Sequence, residues 1–246
     1  MSAIEDVRVR ASLRAQVALD GLLARADSIE NLMSAHFPES TLSEVSKSSK
    51  ITIESLKEGS ANEELSQIVD LVQDELNWGI TAFWQIERYL QLQIPQREDG
   101  NNFGVEVLEN CIKVIQERSN LMAGYLIDLP SYYLGRAQVF EKVSKVESTN
   151  ITNKLKETID EDQTAIETKT KKMKETISTE EKKEVSYRIF DDYRKYLISY
   201  DTKWNWTLRD ILRQIQDSHL IIFDTIEKNR PKLEKPKGSS THHHMY

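Results

Sequence analysis

The chain has 246 residues, of which 30% are charged, with 33 Lys and Arg against 40 Asp and Glu for a net charge of -7. That acidic balance speaks against broad nucleic-acid binding, which needs a basic surface, and no apolar run approaches the roughly 18 residues of a membrane span. The single cysteine, Cys111, excludes an internal disulfide and fits a reducing compartment, and the opening Met1–Asp6 lacks the basic start and apolar core of a signal peptide.

Helical periodicity dominates in chain order. Helix 1 is predicted over about 4–37, with Leu13, Val17, Leu19, Leu22, Ile29 and Met33 at helical spacings. Phe37-Pro38 stops it, because the residue before a proline disfavours the helical region. A linker rich in Ser, Lys and Glu follows over 38–62. Helix 2 is predicted over about 63–94, with a stripe of Leu65, Val72, Leu76, Ile80, Phe83 and Leu90, and Pro95 ends it. Helix 3 is predicted over about 105–146, with a kink or break near Asp128 imposed by Pro130.

Residues 147–184 change character. They are rich in Lys, Glu and Thr and hold no aromatic residue, yet Ile151, Leu155, Ile159, Ile166, Met173 and Ile177 keep a thin helical seam. The stretch reads as an insertion or a helical arm, and composition leaves both open. Helix 4 is predicted over about 185–229, from Phe190 through Leu197, Trp204, Leu208 and Ile215 to Ile226. Residues 230–246 form a polar tail in which Pro231, Pro236 and Gly238 oppose helix.

Four long helices with polar connections imply an all-α fold, an up-down four-helix bundle. Alternation then places the 95–104 connection and the C-terminal tail at one end, with the linker and the 147–184 stretch at the other. The 95–104 connection, Pro95-Gln96-Arg97-Glu98-Asp99-Gly100-Asn101-Asn102-Phe103-Gly104, is longer and chemically more specialised than a plain helix–helix turn needs. It is either an elaborate capped turn or a shaped contact surface.

Catalysis finds no foothold. The chain has no Gly-rich phosphate loop, no Gly-x-Ser-x-Gly elbow, no His-Glu-x-x-His and no Glu-x-x-His pair for a bundle di-iron site, so neither a catalytic residue nor a cofactor is expected. His242, His243 and His244 are adjacent and chelate poorly without further ligands, so no metal site is expected. Cys111 reads as a small buried helix residue, the four tryptophans as core or interface residues, and the Lys pairs at 171–172 and 182–183 as a solvated face.

Three motifs carry a resemblance to the 11S proteasome activator (REG) family. Ile94-Pro95 followed by Glu98-Asp99-Gly100-Asn101-Asn102-Phe103-Gly104-Val105 is similar to the family's activation loop, whose typical string is Glu-Asp-Gly-Asn-Asp-Phe-Gly-Val. Glu30-Asn31-Leu32-Met33 running into Phe37-Pro38, and Pro236-Lys237-Gly238 before the terminal Met245-Tyr246, are the second and third. The likeness covers most of the chain and fails over 150–183. It implies a heptameric ring of four-helix protomers and a partner, the α-subunit end ring of the 20S proteasome, in the cytoplasm, the nucleus or both. It further implies a regulator rather than an enzyme, acting without ATP. The tail, through His244, Met245 and Tyr246, would dock. The activation loop, Arg97, Glu98, Asp99, Gly100, Asn101, Asn102, Phe103 and Gly104, would open the gate. Asn101 matches the family position tied most closely to activation, whereas Asn102 departs from the family's Asp. On the residues alone, a helical scaffold with a non-proteasomal partner stays open.

Overall fold

The computed structural model describes residues 3–37, 62–95, 103–142 and 169–236. They form four long helices, α1 (Ala3–His36), α2 (Glu63–Gln93), α3 (Phe103–Asp128) and α4 (Lys169–Glu234), plus a helical stretch at 131–142. No strand occurs among the described residues. Pro130 acts as its chemistry demands. Helix α3 stops at Asp128, Leu129 and Pro130 turn, and the next helix starts with the proline at its head, where a missing N–H costs nothing.

Helix α4 is longer than the predicted 185–229. It begins at Lys169, inside the stretch read as insertion or arm, and passes through Pro231 to Glu234. No Gly or Pro interrupts the sequence between Gly135 and Pro231, so nothing local breaks it. Past Pro231 the helix gains one more turn, with Lys235 N–H donating to the Pro231 carbonyl at 3.3 Å, and that turn buries Leu233.

The contacts divide into two compact units. Unit 1 comprises Met1–Glu39, Ser66–Leu129 and Trp206–Tyr246, and unit 2 comprises Ser40–Leu65 and Pro130–Asn205. In unit 1 the pairing of side chains fixes helix direction. Arg25 of α1 meets Glu75 of α2 at 2.6 Å, while Ala15 and Leu90 line one groove, so α1 and α2 are antiparallel. Gln116 of α3 donates to Glu87 of α2 at 2.7 Å, while Met122 faces Gly79, so these two are antiparallel as well. Tyr125 O–H of α3 donates to Gln214 of α4 at 2.7 Å, while Gly104 meets Pro236. Gln216 of α4 donates to Glu30 of α1 at 2.7 Å and closes the square. Unit 1 is therefore an up-down-up-down four-helix bundle.

The buried face of α1 takes only part of the large apolar residues that mark its periodicity. Ala11, Ala15, Ala18 and Ala26 are buried beside Leu19, Leu22 and Ile29, whereas Leu13, Val17 and Leu23 are exposed. Small residues let the helices approach closely. A Cβ on Gly21 of α1 would stand 2.9 Å from the Trp78 ring.

At the centre of unit 1, His219 of α4 is fully buried and edge-on to Trp78 and Phe83, and neither ring nitrogen has a hydrogen-bond partner among the described residues. Burial, reinforced by the charge of Arg25, pushes its pKa down to about 4. The folded state therefore holds a neutral imidazole, and protonation favours the unfolded chain. This contribution to stability is fully present above the unfolded value near 6.5 and is lost as pH falls towards 4, about 3 kcal/mol in total. Urea melts at about pH 7.5 and pH 5 should diverge for the wild type, and His219→Leu should remove most of that divergence. An unchanged pH dependence in the variant would contradict the assignment.

Unit 2 is held by a buried polar cluster. Asn62 caps α2, accepting from Leu65 N–H at 3.2 Å, and its amide donates to Asp201 at 3.1 Å. Arg136 Nε donates to the same carboxylate at 3.2 Å. Burial raises the pKa of Asp201, and Arg136 and Asn62 oppose that rise. Tyr132, Tyr200 and Trp204 pack around this cluster.

Candidate functional site

The site lies at the end of unit 1 where α2 finishes, α3 begins and α4 finishes. Two connections leave this end. One is the predicted 95–104 loop, shortened at its far end because Phe103 and Gly104 already belong to α3, so that the connection runs from Ile94 and Pro95 to Phe103. The second is the chain beyond Glu234. Of the predicted site residues, Phe103 opens α3 and Gly104 lies buried in its first turn. Arg97, Glu98, Asp99, Gly100, Asn101 and Asn102, and His244, Met245 and Tyr246, lie outside the described residues.

The two connections meet at their roots. A Cβ built on Gly104 would overlap the carbonyl oxygen of Pro236 and stand 2.7 Å from its carbonyl carbon. Only glycine permits this approach of backbone to backbone. The apolar base beneath it is complete, since Leu90, Val105, Leu108 and Leu233 are all buried. The root of the tail is thus packed against the root of the loop. The sequence predicts a tail from residue 230, but the helix carries the chain on to Glu234 before it leaves. The apolar step from Ile222 and Ile226 to Leu233 is the sequence signal for that extra turn.

Charge is arranged around the same end. Arg230 binds Glu227 through both Nε, at 3.2 Å, and Nη2, and lies 3.9 Å from Glu234. The hydrogen bond from Arg230 holds the Glu227 carboxyl below its usual range. Beside it, a groove of about 170 Å³ runs between Ser12 and Ala15 of α1, Tyr89 of α2, and Arg230 and Leu233 of α4. Sequence reasoning marks Pro236 only as a helix-opposing residue and part of a motif, and does not single out Arg230 and Leu233, because only tertiary packing gives the three a common location.

The close approach at Gly104 is testable against a matched control. Gly104→Ala must displace the Pro236 backbone, and overpacking of this kind costs about 1–3 kcal/mol. Gly124, in the same helix, faces open space, with nothing within 4 Å of the position a methyl group would take. There Ala should stabilise by up to about 1 kcal/mol through helix propensity. Thermal denaturation should lower the melting temperature for Gly104→Ala and raise or preserve it for Gly124→Ala. Equal effects would count against the contact.

The geometry has counterparts. A family model for the C-terminal region of the proteasome activator PA28 matches residues 59–178 and 149–243. The human and chicken (Gallus gallus) proteins named proteasome activator complex subunit 3 are each 24% identical over 180 residues, 73% of this chain and 55% of theirs. The chain thus aligns with about half the length of these curated relatives. They are named as activator subunits, regulators rather than enzymes. Among solved structures, the 11S subunit PA28 of the Plasmodium falciparum proteasome superposes with a TM-score of 0.64 at 17% identity, covering 95% of this chain and 92% of that one. The archaeal 20S proteasome complex with a mutated P26 activator gives a TM-score of 0.63 at 13% identity, covering 96% and 95%. These two likenesses concern the fold. Taken with the family match, which extends over helices α2 to α4, they make the chain a member of the PA28 proteasome activator family.

Proposed function

We propose that the chain is an ATP-independent activator of the 20S proteasome that assembles as a heptameric ring, docks on the α-subunit end ring through its C-terminal tails and opens the gate with its activation loops. The observation that carries this reading is the contact of Gly104 with Pro236, which roots the loop and the tail at one end of the bundle. A single surface can then hold and push at once.

The two parts have different physics. Twelve residues, 235–246, follow α4. They reach at most about 40 Å when extended. One short tail binds weakly because ordering it costs entropy, whereas several tails on one ring act together. The loop instead needs a fixed shape. A glycine, as at position 100, allows backbone shapes closed to other residues, and asparagines, as at 101 and 102, can brace a turn by side-chain hydrogen bonds. Asn102 keeps the hydrogen-bonding reach of the family's Asp and lacks its charge. The lone Cys111 supports a reducing compartment, the cytoplasm, the nucleus or both. Co-sedimentation with purified 20S particles, together with the native mass of the free chain, tests the reading. Failure to bind would favour a helical scaffold for another partner.

A further inference from the structure

The second motif of the sequence, Glu30 to Pro38, has no part in the proposed docking or gate opening. Three of its residues, Glu30, Met33 and Phe37, line one side of a groove of about 710 Å³. Helix α4 forms the other side with Trp206, Arg209, Arg213 and Asp217. All of them belong to unit 1. Gln216 of α4 donates to Glu30 at 2.7 Å, which sets the register of the two antiparallel helices. Seven residues on along α1 stands Phe37, and seven back along α4 stands Arg209, so these two come level about 10 Å away.

The groove therefore differs at its two ends. One end is aromatic and cationic. Phe37 is buried and Trp206 half-buried, and the Arg209 guanidinium lies 5.4 Å from the centroid of the Trp206 ring. Arg213, one turn further along α4, is exposed. Neither arginine has a carboxylate at ion-pair distance among the described residues. Asp210 lines the same end, but its carboxylate accepts from Gln214 at 2.8 Å. The other end is anionic, with Glu30 and Asp217 both exposed and neither paired with a cation among the described residues. Asp217 stands four residues beyond Arg213, a spacing that permits an ion pair, yet none forms.

Opposite charges held apart along one groove match a ligand that carries the reverse pair. A short peptide with free ends does so through its terminal carboxylate and ammonium. Arg209 and Asp217 are eight residues apart on α4, about 12 Å, which is the span of about four extended residues. We propose that this groove is a binding site for short peptides of about that length, read by their free ends. The terminal carboxylate lies on Arg209 and Arg213 through charge-assisted hydrogen bonds. An apolar C-terminal side chain packs on Trp206, Phe37 and Met33, and the ammonium faces Glu30 and Asp217. The cation–π contact with Trp206 holds Arg209 in place before the ligand arrives, which lowers the cost of ordering it.

The test is isothermal titration calorimetry of the full chain, without 20S particles, against a tetrapeptide of three alanines and a C-terminal phenylalanine. Saturable binding at one site per chain is expected, and amidation of the C-terminus should weaken it at least about tenfold, the loss of one hydrogen bond between charged groups. Arg209→Gln/Arg213→Gln should weaken the free-ended peptide by a similar factor and remove the difference between free and amidated forms. Asp217→Asn should weaken the free-ended peptide and leave the N-acetylated one unchanged. Helical circular dichroism should stay constant throughout, because these side chains are exposed or half-buried. No saturable binding, equal affinity of free and amidated peptides, or wild-type binding by the double arginine variant would each overturn the site. With no proteasome in the cell, such a failure leaves the proposed activation standing, and failed activation leaves this site standing.

Discussion

Replacing Asn101 by Tyr is expected to abolish stimulation of peptide hydrolysis, returning turnover to that of the 20S particle alone, while assembly and docking persist. The loop leaves the bundle between α2 and α3, whose ends are locked by buried Leu90 and Leu108 and by the seat of Gly104 on Pro236. A substitution within the loop is therefore expected to leave those packed ends intact. Under the proposed function it alters the surface offered to the gate. Asn is small and can brace a turn through its side-chain amide, whereas Tyr is bulky and loses that bond. Fluorogenic-peptide turnover with 20S particles reads the first effect, and co-sedimentation reads the second. Full stimulation by the variant would contradict the loop assignment. Loss of docking together with stimulation would contradict the division of labour between loop and tail.

Deleting Met245 and Tyr246 is expected to produce the complementary phenotype. In the proposed ring each tail would contribute a weak contact, and coupling several such contacts can raise affinity by roughly 100- to 10,000-fold over one contact. The deletion weakens every tail at once, so the combined loss should be of that order and docking should fail at working concentrations. Raising the concentration of the truncated chain should recover some stimulation, because the loop is intact. Unchanged co-sedimentation would show that these two residues do not hold the particle.

Much of the fold is legible in the sequence because helical period is strong and breakers are few. Pro95 and Pro130 mark the end of α2 and the break after α3 through local chemistry alone. Helix α4 shows the limit. Its extension to Lys169 follows from a lack of breakers, whereas Pro231 argues for an earlier stop, and only burial of Leu233 explains the final turn. Helix α1 shows another limit. Periodicity groups Leu13 and Val17 with Leu19, Leu22 and Ile29, and only tertiary packing buries the last three among alanines and leaves the first two exposed. For the site, motif and spacing identify the loop, and alternation of helices places loop and tail at one end. The Gly104–Pro236 contact is tertiary, between residues far apart in sequence, and no local pattern announces it. The same holds for the buried histidine at position 219, whose neutrality is set by Trp78, Phe83 and Arg25 from other helices.

The most direct measurement mixes the purified chain with 20S proteasome and follows hydrolysis of a short fluorogenic peptide without nucleotide. Gate opening by this chain predicts turnover that rises with added chain and saturates, with no turnover when the 20S particle is omitted. Unchanged turnover at concentrations where the chain co-sediments with the particle would contradict it.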